Sequence, residues 1–430
     1  MTDIIEKRDK ATTLRKQRNF QDALLLFETL WEETEDKWDG WNLAYCYNKC
    51  AEYDKALKVS KEVYAADNDF DYIKGTYAWS AYMLNINNYS GDNYDELKTY
   101  ANGIMQLTEN RQEDVFRHLT VLKVMDYCET KGMWEALLSW SKIIDPKILN
   151  AEPYKFKKNG KNITMPSNRE KWYLKTSKAY EKSENWERCF ETTCNGLNHF
   201  PDEIWLKRRK AISQGNLGEL DKAIEELKNI SFVKSDWFIF RDIAVLHGQN
   251  NNYSNALDYI IDGCILSANL PDPEYRWELY YDAALFLYKS GENKMSEKHL
   301  ILSYSLRENE GWKTPEVLAA LAGELGIELK SIENTGSLIK ELKKFWEQHK
   351  FSKLPKNKGM IKTMLPNGKA GFITSENGED FYFKVYSFNG KRSHLKHGLK
   401  VEFFVQESFD RVKKEKSNQA VNISLNGNGR

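Results

Sequence analysis

Lysines alternate with aromatic residues in one short stretch of the chain, which consists of Tyr154, Lys155, Phe156, Lys157 and Lys158. Aromatic rings can stack on bases and ammonium groups can contact a phosphate chain, so this pattern is typical of surfaces that hold single-stranded nucleic acid. The stretch lies in an insertion at about 147–168 that interrupts a helical pattern and contains Lys161 and several loop-forming residues. We expect a basic loop that contacts nucleic acid or a protein partner; the alternative is a loop that is simply polar.

The sequence carries no short catalytic motif. It has no glycine-rich phosphate loop, no His-Glu-x-x-His, no Gly-x-Ser-x-Gly and no acidic triad at metal spacing. The six cysteines include no Cys-x-x-Cys pair and lie in helical pattern, which predicts reduced core residues. His394 and His397 have no further His or Cys nearby and are expected to be solvated loop residues. We therefore expect no enzyme activity, no cofactor and no metal.

The charges are balanced overall but unevenly distributed. The 430 residues contain 63 Lys or Arg and 63 Asp or Glu, whereas residues 356–430 contain 14 Lys or Arg and 7 Asp or Glu. A basic terminal module on an acidic body indicates a polyanion-contacting module on a carrier, and the alternative is chance variation of charge along the chain. No apolar run is long enough for a membrane span, and the N-terminus has no apolar signal-like run, so we expect a cytoplasmic protein.

A pattern of a bulky apolar residue, two mostly polar residues and a small residue recurs through the first three quarters of the chain. The small residues are Ala23, Ala56, Ala136, Cys189, Ala223 and Ala256. Several neighbours in this series are 33 or 34 residues apart. A fixed period of this length predicts stacked two-helix units, because one such unit cannot bury its apolar faces alone.

The repeated pattern resembles the tetratricopeptide repeat (TPR) family. Six residues before the bulky residue stand Tyr47, Tyr127 and Tyr180, and nine before it stand the small residues Ala44, Ser177, Ala211 and Ala244. Pro201 follows Cys189 by twelve residues, where the family ends its unit. The resemblance implies an all-α superhelix of TPR-like repeats over residues 1–310. Its first helices would line a concave face that binds a peptide or a protein partner. A helix-start signal and an amphipathic pattern after it predict capping helices and a hinge over 311–355.

Alignment on the small residue predicts which side chains line that concave face. They are basic: Lys171, Lys175, Lys178, Arg208, Arg209 and Arg241. A groove lined by these residues favours an acidic peptide or a nucleic-acid backbone. The alternative is a solvated helix face that happens to be basic.

The sequence period changes after Lys358. Short apolar runs are separated by Asn367-Gly368 and by Asn377-Gly378. Asn-Gly between apolar runs is a strong hairpin signal, because both residues tolerate the left-handed conformation that a tight turn needs. We expect residues 356–430 to form a small all-β barrel.

This module resembles the cold-shock domain, a five-stranded barrel of the OB type. Five blocks match in order, at 359–362, 369–373, 380–384, 395–403 and 420–423. The resemblance implies binding of RNA or single-stranded DNA through aromatic residues on one sheet face.

The sheet face carries fewer aromatic residues than the family pattern. Phe372 and Tyr382 match, with Lys362, Lys369 and Lys384 around them, whereas other base-contacting positions of the family hold Thr363, Ala370, Lys384 and Val385. Each stacked base is worth roughly 1–3 kcal/mol. We expect weak binding with little sequence preference and steep salt dependence. The alternative is a barrel that has lost nucleic acid and docks a protein.

Together these observations predict a two-part, non-catalytic adaptor. The TPR-like scaffold would bind a protein partner, and the barrel would contact RNA or single-stranded DNA. A second hypothesis is a pure protein–protein scaffold in a regulatory, stress-response or defence complex. A third is a receptor for a short regulatory peptide.

Overall fold

The computed structural model describes residues 2–410 and 415–426. Within these ranges the chain begins with helices α1 to α8, which span Thr2–Lys16, Phe20–Thr34, Lys37–Lys49, Tyr53–Ala66, Asp71–Asn85, Tyr94–Leu107, Val115–Thr130 and Trp134–Ser141. A hairpin of β1 (Tyr154–Lys158) and β2 (Lys161–Met165) follows. Helices α9 to α18 then span Asn168–Lys182, Trp186–His199, Ile204–Asn216, Leu220–Val233, Trp237–Gln249, Tyr253–Ser267, Trp277–Lys289, Asn293–Glu308, Glu316–Leu325 and Thr335–Ser352.

Five further strands complete the chain. They are β3 (Lys356–Met364), β4 (Ala370–Ser375), β5 (Asp380–Lys384), β6 (Lys400–Asp410) and β7 (Glu415–Leu425). The chain divides into two compact units, Met1–Ser213 and Gln214–Arg430. The first unit contains the early helices and the β1–β2 hairpin, and the second contains the later helices and the barrel.

Small residues allow the paired helices to pack closely. Ala23, Ala56, Cys189, Ala223 and Ala256 on the second helices have no solvent exposure. Their counterparts on the first helices, Ala44, Ser177, Ala211 and Ala244, are equally buried. Because a small side chain on each helix lets the backbones approach, the predicted helical hairpins follow from this pattern.

One predicted small position is shifted by a residue. Ala136 is half-buried, whereas Leu137 is fully buried. In these helical hairpins the residue with a left-handed backbone conformation lies two positions before the second helix begins. Here that residue is Gly132 (φ 68°), so α8 begins at Trp134. The bulky residue of this unit is Trp134 rather than Met133, and the large Leu137 occupies the place where other units have a small residue.

The insertion at 147–168 is a β-hairpin, so the expectation of a loop was wrong. Asn159 and Gly160 both have positive φ, 51° and 75°, and they form a two-residue turn between β1 and β2. Two positive φ values match a type I′ turn, whose twist fits an antiparallel pair. The Asn-Gly dipeptide and the alternation of apolar with polar residues on either side of it carried this information, but the lysine-rich composition favoured a loop.

Helix α18 packs on the repeat helices α14 and α16. Its buried residues Ile339, Leu342 and Trp346 lie on one stripe, as expected for an amphipathic helix. The Trp346 ring stacks on Tyr280 of α15 with 6.0 Å between centroids. Burial of this stripe covers apolar surface that the last helical hairpins would otherwise leave in water.

The barrel strands are ordered β3-β4-β5-β7-β6, and β6 pairs again with β3 to close the sheet. Among the described barrel strands, β5 and β7 pair in parallel and the other neighbours pair antiparallel. This is the strand order of an OB-type barrel. Both predicted Asn-Gly turns are present, with φ of 63° at Gly368 and 84° at Gly378. At Gly371 a side chain would lie 2.5 Å from the Thr363 carbonyl oxygen, so the close crossing of β3 and β4 requires glycine.

The predicted architecture is therefore confirmed: TPR-like helical repeats precede a five-stranded closed barrel. The domain boundaries at 310 and 355 stay a prediction.

Candidate functional site

Five of the predicted concave-face residues meet in one groove of the first unit. Lys171, Lys175 and Lys178 lie one helical turn apart on α9, and Arg208 and Arg209 lie on α11. The groove has a volume of about 410 Å³, and its other lining residues include Glu129, Glu181 and Trp205. Side chains three and four residues apart share a helix face, which explains how the α9 lysines align.

Carboxylates neutralise much of the positive charge in this groove. The Lys175 Nζ lies 2.7 Å from a carboxylate oxygen of Asp126 and also contacts Glu129. The Lys178 Nζ lies 2.7 Å from the other Glu129 oxygen. The expected basic face is thus a network of both signs, because α7 supplies acidic residues that alignment on the small residue did not single out.

Glu181 holds the two arginines of α11. Its carboxylate accepts hydrogen bonds from Arg208 at 3.0 Å and from Arg209 at 2.8 Å. Arg209 also donates to the Leu174 carbonyl oxygen at 3.3 Å. Burial alone would raise the pKa of Glu181, but the two guanidinium groups outweigh it and lower this pKa. The arginines therefore serve the packing of α9 against α11 as well as the charge of the groove.

Arg241 has different surroundings. It lies on α13 in the second unit, where its guanidinium contacts Glu278 at 2.8 Å and Asp282 at 2.6 Å on α15. Asp282 is buried, and burial raises its pKa despite the opposing effect of Arg241. This geometry is that of an ion pair between neighbouring first helices.

A second groove in the first unit was not predicted from the sequence. It has a volume of about 480 Å³ and lies on α3, α5 and α7, with walls formed by Trp41, Tyr45, Tyr72, Trp79 and Phe116. Trp79 and Phe116 stack with 5.7 Å between centroids. The spacing of the aromatic residues on α3 and α5 follows one helix face and could have indicated this surface.

Cations accompany these aromatic rings. Arg15 lies 5.2 Å from the Trp41 centroid, and Lys49 lies 4.7 Å from the Trp79 centroid. Arg111 donates to the Asp71 carbonyl oxygen at 2.9 Å beside Gly75, whose missing side chain leaves room for the guanidinium. Cation–π contacts of this kind stabilise exposed aromatic surfaces.

The basic-aromatic stretch Tyr154–Lys158 forms strand β1. Tyr154 and Phe156 lie on one face of the hairpin, and Lys155 and Lys157 lie on the other, because side chains alternate along a strand. The Lys171 ammonium lies 5.7 Å from the Tyr154 centroid. The hairpin is therefore adjacent to the groove on α9.

On the barrel, Phe372 and Tyr382 are direct neighbours. They are paired across β4 and β5, and their rings meet edge to face with 5.8 Å between centroids. Both are half-buried, and Thr363 pairs with Phe372 on the other side. The outer sheet face thus presents two adjoining rings.

The lysines around these rings differ in exposure and in their contacts. Lys362 forms an ion pair with Asp380 on the same sheet face. Lys369 and Lys384 are exposed, and the Lys384 ammonium lies 5.6 Å from the Tyr386 centroid. Tyr386 is 73% exposed and was not singled out from the sequence. Val385 is buried, so its side chain belongs to the core rather than to the face.

Within the described residues, no three His, Cys, Asp or Glu side chains are grouped so that they could hold a metal ion. None of the helices in the described part of the chain is long and apolar enough to cross a membrane.

Solved structures that are similar to the chain include MamA AMB-1, which shares 12% identity, with 44% of this chain and 98% of that chain covered and a TM-score of 0.30. A tetratricopeptide repeat protein from Parabacteroides merdae shares 10% identity, with 67% and 100% covered and a TM-score of 0.31. No protein-family model matches the sequence, and no curated protein matches it.

Proposed function

We propose that this protein is a non-catalytic cytoplasmic adaptor. Its TPR-like scaffold binds a protein partner, and its OB-type barrel contacts RNA or single-stranded DNA weakly and with little sequence preference. The observation that carries the nucleic-acid half is the pair of adjoining rings, Phe372 and Tyr382, on a sheet face with exposed Lys369 and Lys384.

The chemistry of that face suits a single strand better than a duplex. Two rings at adjoining positions offer stacking for about two bases, and lysines beside them contact phosphates. With so few rings, ionic contacts supply a large share of the affinity, which makes binding sensitive to salt. Stacking and phosphate contacts carry little sequence information, so little sequence preference is expected.

The groove on α9 and α11 supports the protein half. Lys171 and Lys182 also line this groove, and neither forms a close ion pair among the described residues, although Lys182 acts electrostatically on Glu181. An acidic segment of a partner would contact these two lysines first. It would leave Glu181 and its arginines in place, because that ion pair is largely buried.

Fluorescence anisotropy of the full chain with labelled oligouridine and oligothymidine, at low and high salt, tests the nucleic-acid half. Phe372→Ala with Tyr382→Ala should weaken binding by about tenfold or more, the loss of one to two stacked bases. Tyr275→Ala is the matched control, since Tyr275 is 69% exposed on the helical part. Absence of binding at low salt would contradict the nucleic-acid half.

A second candidate is a scaffold in which the barrel docks a protein. The ion pair of Lys362 with Asp380 favours it, because a carboxylate on the sheet face repels phosphates. Copurification from native lysate with and without nuclease separates the two functions. Partners that remain after nuclease treatment support the scaffold, and partners that are lost support the adaptor.

A further inference from the structure

The hairpin of β1 and β2 exposes an apolar face to solvent. Tyr154 pairs with Met165, and Phe156 pairs with Ile163 on that face. Tyr154, Phe156 and Met165 are 41%, 43% and 41% exposed. A two-stranded hairpin is at best marginally stable in water, and a third strand on its apolar sheet would stabilise it. The hairpin is therefore incomplete as a sheet.

The backbone of β1 also has an open edge. Lys158 and Lys161 flank the two-residue turn and exchange both hydrogen bonds, so the bonded pairs alternate along the hairpin. It follows that the N–H and C=O groups of Lys155 and Lys157 point away from β2. Among the described residues, no backbone group outside the hairpin bonds to them.

The base of the hairpin is anchored. Arg169 at the start of α9 donates to the carbonyl oxygens of Pro146 at 3.0 Å and Leu149 at 3.2 Å. The Ser167 side chain caps α9 by accepting from the Glu170 N–H at 3.1 Å. These contacts fix the chain on both sides of the hairpin, whose strands are exposed.

We propose that β1 is a docking edge for an extended segment of a partner protein, in which acidic residues alternate with apolar residues. The segment adds to β1 as a third strand and forms hydrogen bonds with the backbone of Lys155 and Lys157. Its apolar side chains extend the face of Tyr154 and Phe156, and its carboxylates lie beside the lysines on the opposite face.

Charge complementarity selects an acidic occupant and selects β1 over β2. Residues 153–166 contain Lys155, Lys157, Lys158 and Lys161 and no Asp or Glu. Among the described residues none of these lysines has an ion-pair partner. The outward positions of β2 hold Asn162 and Thr164, which are uncharged. A strand beside β1 therefore gains contacts with Lys155 and Lys157 that a strand beside β2 does not.

The open edge also favours a polypeptide over a nucleic acid. Lys155 and Lys157 present alternating backbone donors and acceptors, which another strand satisfies completely. A phosphate chain offers acceptors to the ammonium and N–H groups but leaves the outward carbonyl groups without donors.

Substitutions that act on one edge at a time test the proposal in the full chain. The probe is a capped peptide of about eight residues with alternating Glu and Val. Lys157→Pro removes an outward N–H without breaking a bond inside the hairpin, and Lys157→Thr is its matched control because it removes the same charge but keeps the N–H. Lys157→Pro should bind the probe about tenfold more weakly than Lys157→Thr. Thr164→Pro on the other edge should leave the affinity unchanged.

Hydrogen exchange of the unmodified chain gives a second readout that does not depend on how a proline variant folds. The probe should slow exchange in 154–158. Absence of this protection would overturn the proposal, as would equal binding by the proline and threonine variants. Oligothymidine is the competing probe. If the double variant Lys155→Glu with Lys157→Glu loses oligothymidine binding and Lys157→Pro keeps it, the hairpin is a nucleic-acid surface and the proposal is overturned.

Discussion

Trp346 donates a hydrogen bond from its indole Nε1 to the Nε2 atom of His299, at 2.7 Å in the core beneath α18. Because Nε2 accepts, the proton of the neutral ring is on Nδ1, which donates to the Met295 carbonyl oxygen at 2.7 Å. Both side chains are fully buried. Helix α18 is therefore attached to α16 by a bond that requires an uncharged histidine.

This bond predicts that the protein loses stability in mild acid. Burial lowers the pKa of His299 from 6.5 to about 4. The unfolded chain therefore binds a proton that the folded chain excludes. Neutral His299 therefore makes its full contribution to the free energy of unfolding above pH 6.5. That contribution is lost as the pH falls toward 4, by about 3 kcal/mol in total.

Urea unfolding at pH 6.5 and at pH 4.5 measures the effect, with hydrogen exchange of α18 as the local readout. His299→Gln is the control, because an amide keeps one donor and one acceptor but does not titrate. The wild type should lose more stability than this variant over the same interval. Equal losses would show that His299 does not titrate as the structure implies.

Removal of the indole donor should also destabilise the second unit. Trp346→Phe leaves the Nε2 atom of His299 buried without a partner, which costs about 1–3 kcal/mol. Denaturant unfolding gives the difference. Trp38→Phe serves as the control, since Trp38 is 43% exposed, and it should change the stability by less than about 0.5 kcal/mol. An equally small effect at Trp346 would contradict the role of the bond.

Glu181 should be more important for stability than an exposed glutamate. Glu181→Gln removes the charged carboxylate that the largely buried Arg208 and Arg209 share, and a loss of about 3 kcal/mol follows. Glu191→Gln is the matched control, because Glu191 and its partner Arg188 are both more than half exposed. Thermal unfolding at neutral pH compares the two, and similar midpoints would contradict the prediction.

On the barrel, Asp380→Asn should strengthen binding to a single strand. The change removes a carboxylate from the sheet face and frees Lys362 for a phosphate. One added phosphate contact steepens the logarithmic salt dependence by about 0.7 for single strands. Anisotropy titrations with oligouridine at several salt concentrations measure the slope. Glu376→Gln, at an exposed turn of the same barrel, is the control and should change the slope less.

Local sequence patterns were sufficient for the architecture. The 33- to 34-residue spacing of Ala23, Ala56, Cys189, Ala223 and Ala256 predicted the helical hairpins, and each of these residues is buried. Likewise Asn367-Gly368 and Asn377-Gly378 predicted two turns of the barrel. Such signals are reliable because a helix face, a left-handed turn or a strand alternation depends on residues close together in the chain.

Local patterns were misleading where two signals competed. The lysines of β1 suggested a loop, although Asn159-Gly160 specified a turn between two strands. Ala136 matched the repeat pattern, although Gly132 places α8 one residue later. In both cases the backbone conformation of a turn decided the register.

The sequence by itself therefore determined the repeated helical hairpins, the barrel with its two Asn-Gly turns, and most of the small residues that face inward. The tertiary structure alone decided which charges and rings meet. Glu181 reaches Arg208 and Arg209 across 27 and 28 residues, and Trp346 reaches His299 across 47. The physical reason is that these partners belong to different helices, so their contact depends on how the helices stack rather than on spacing within one helix.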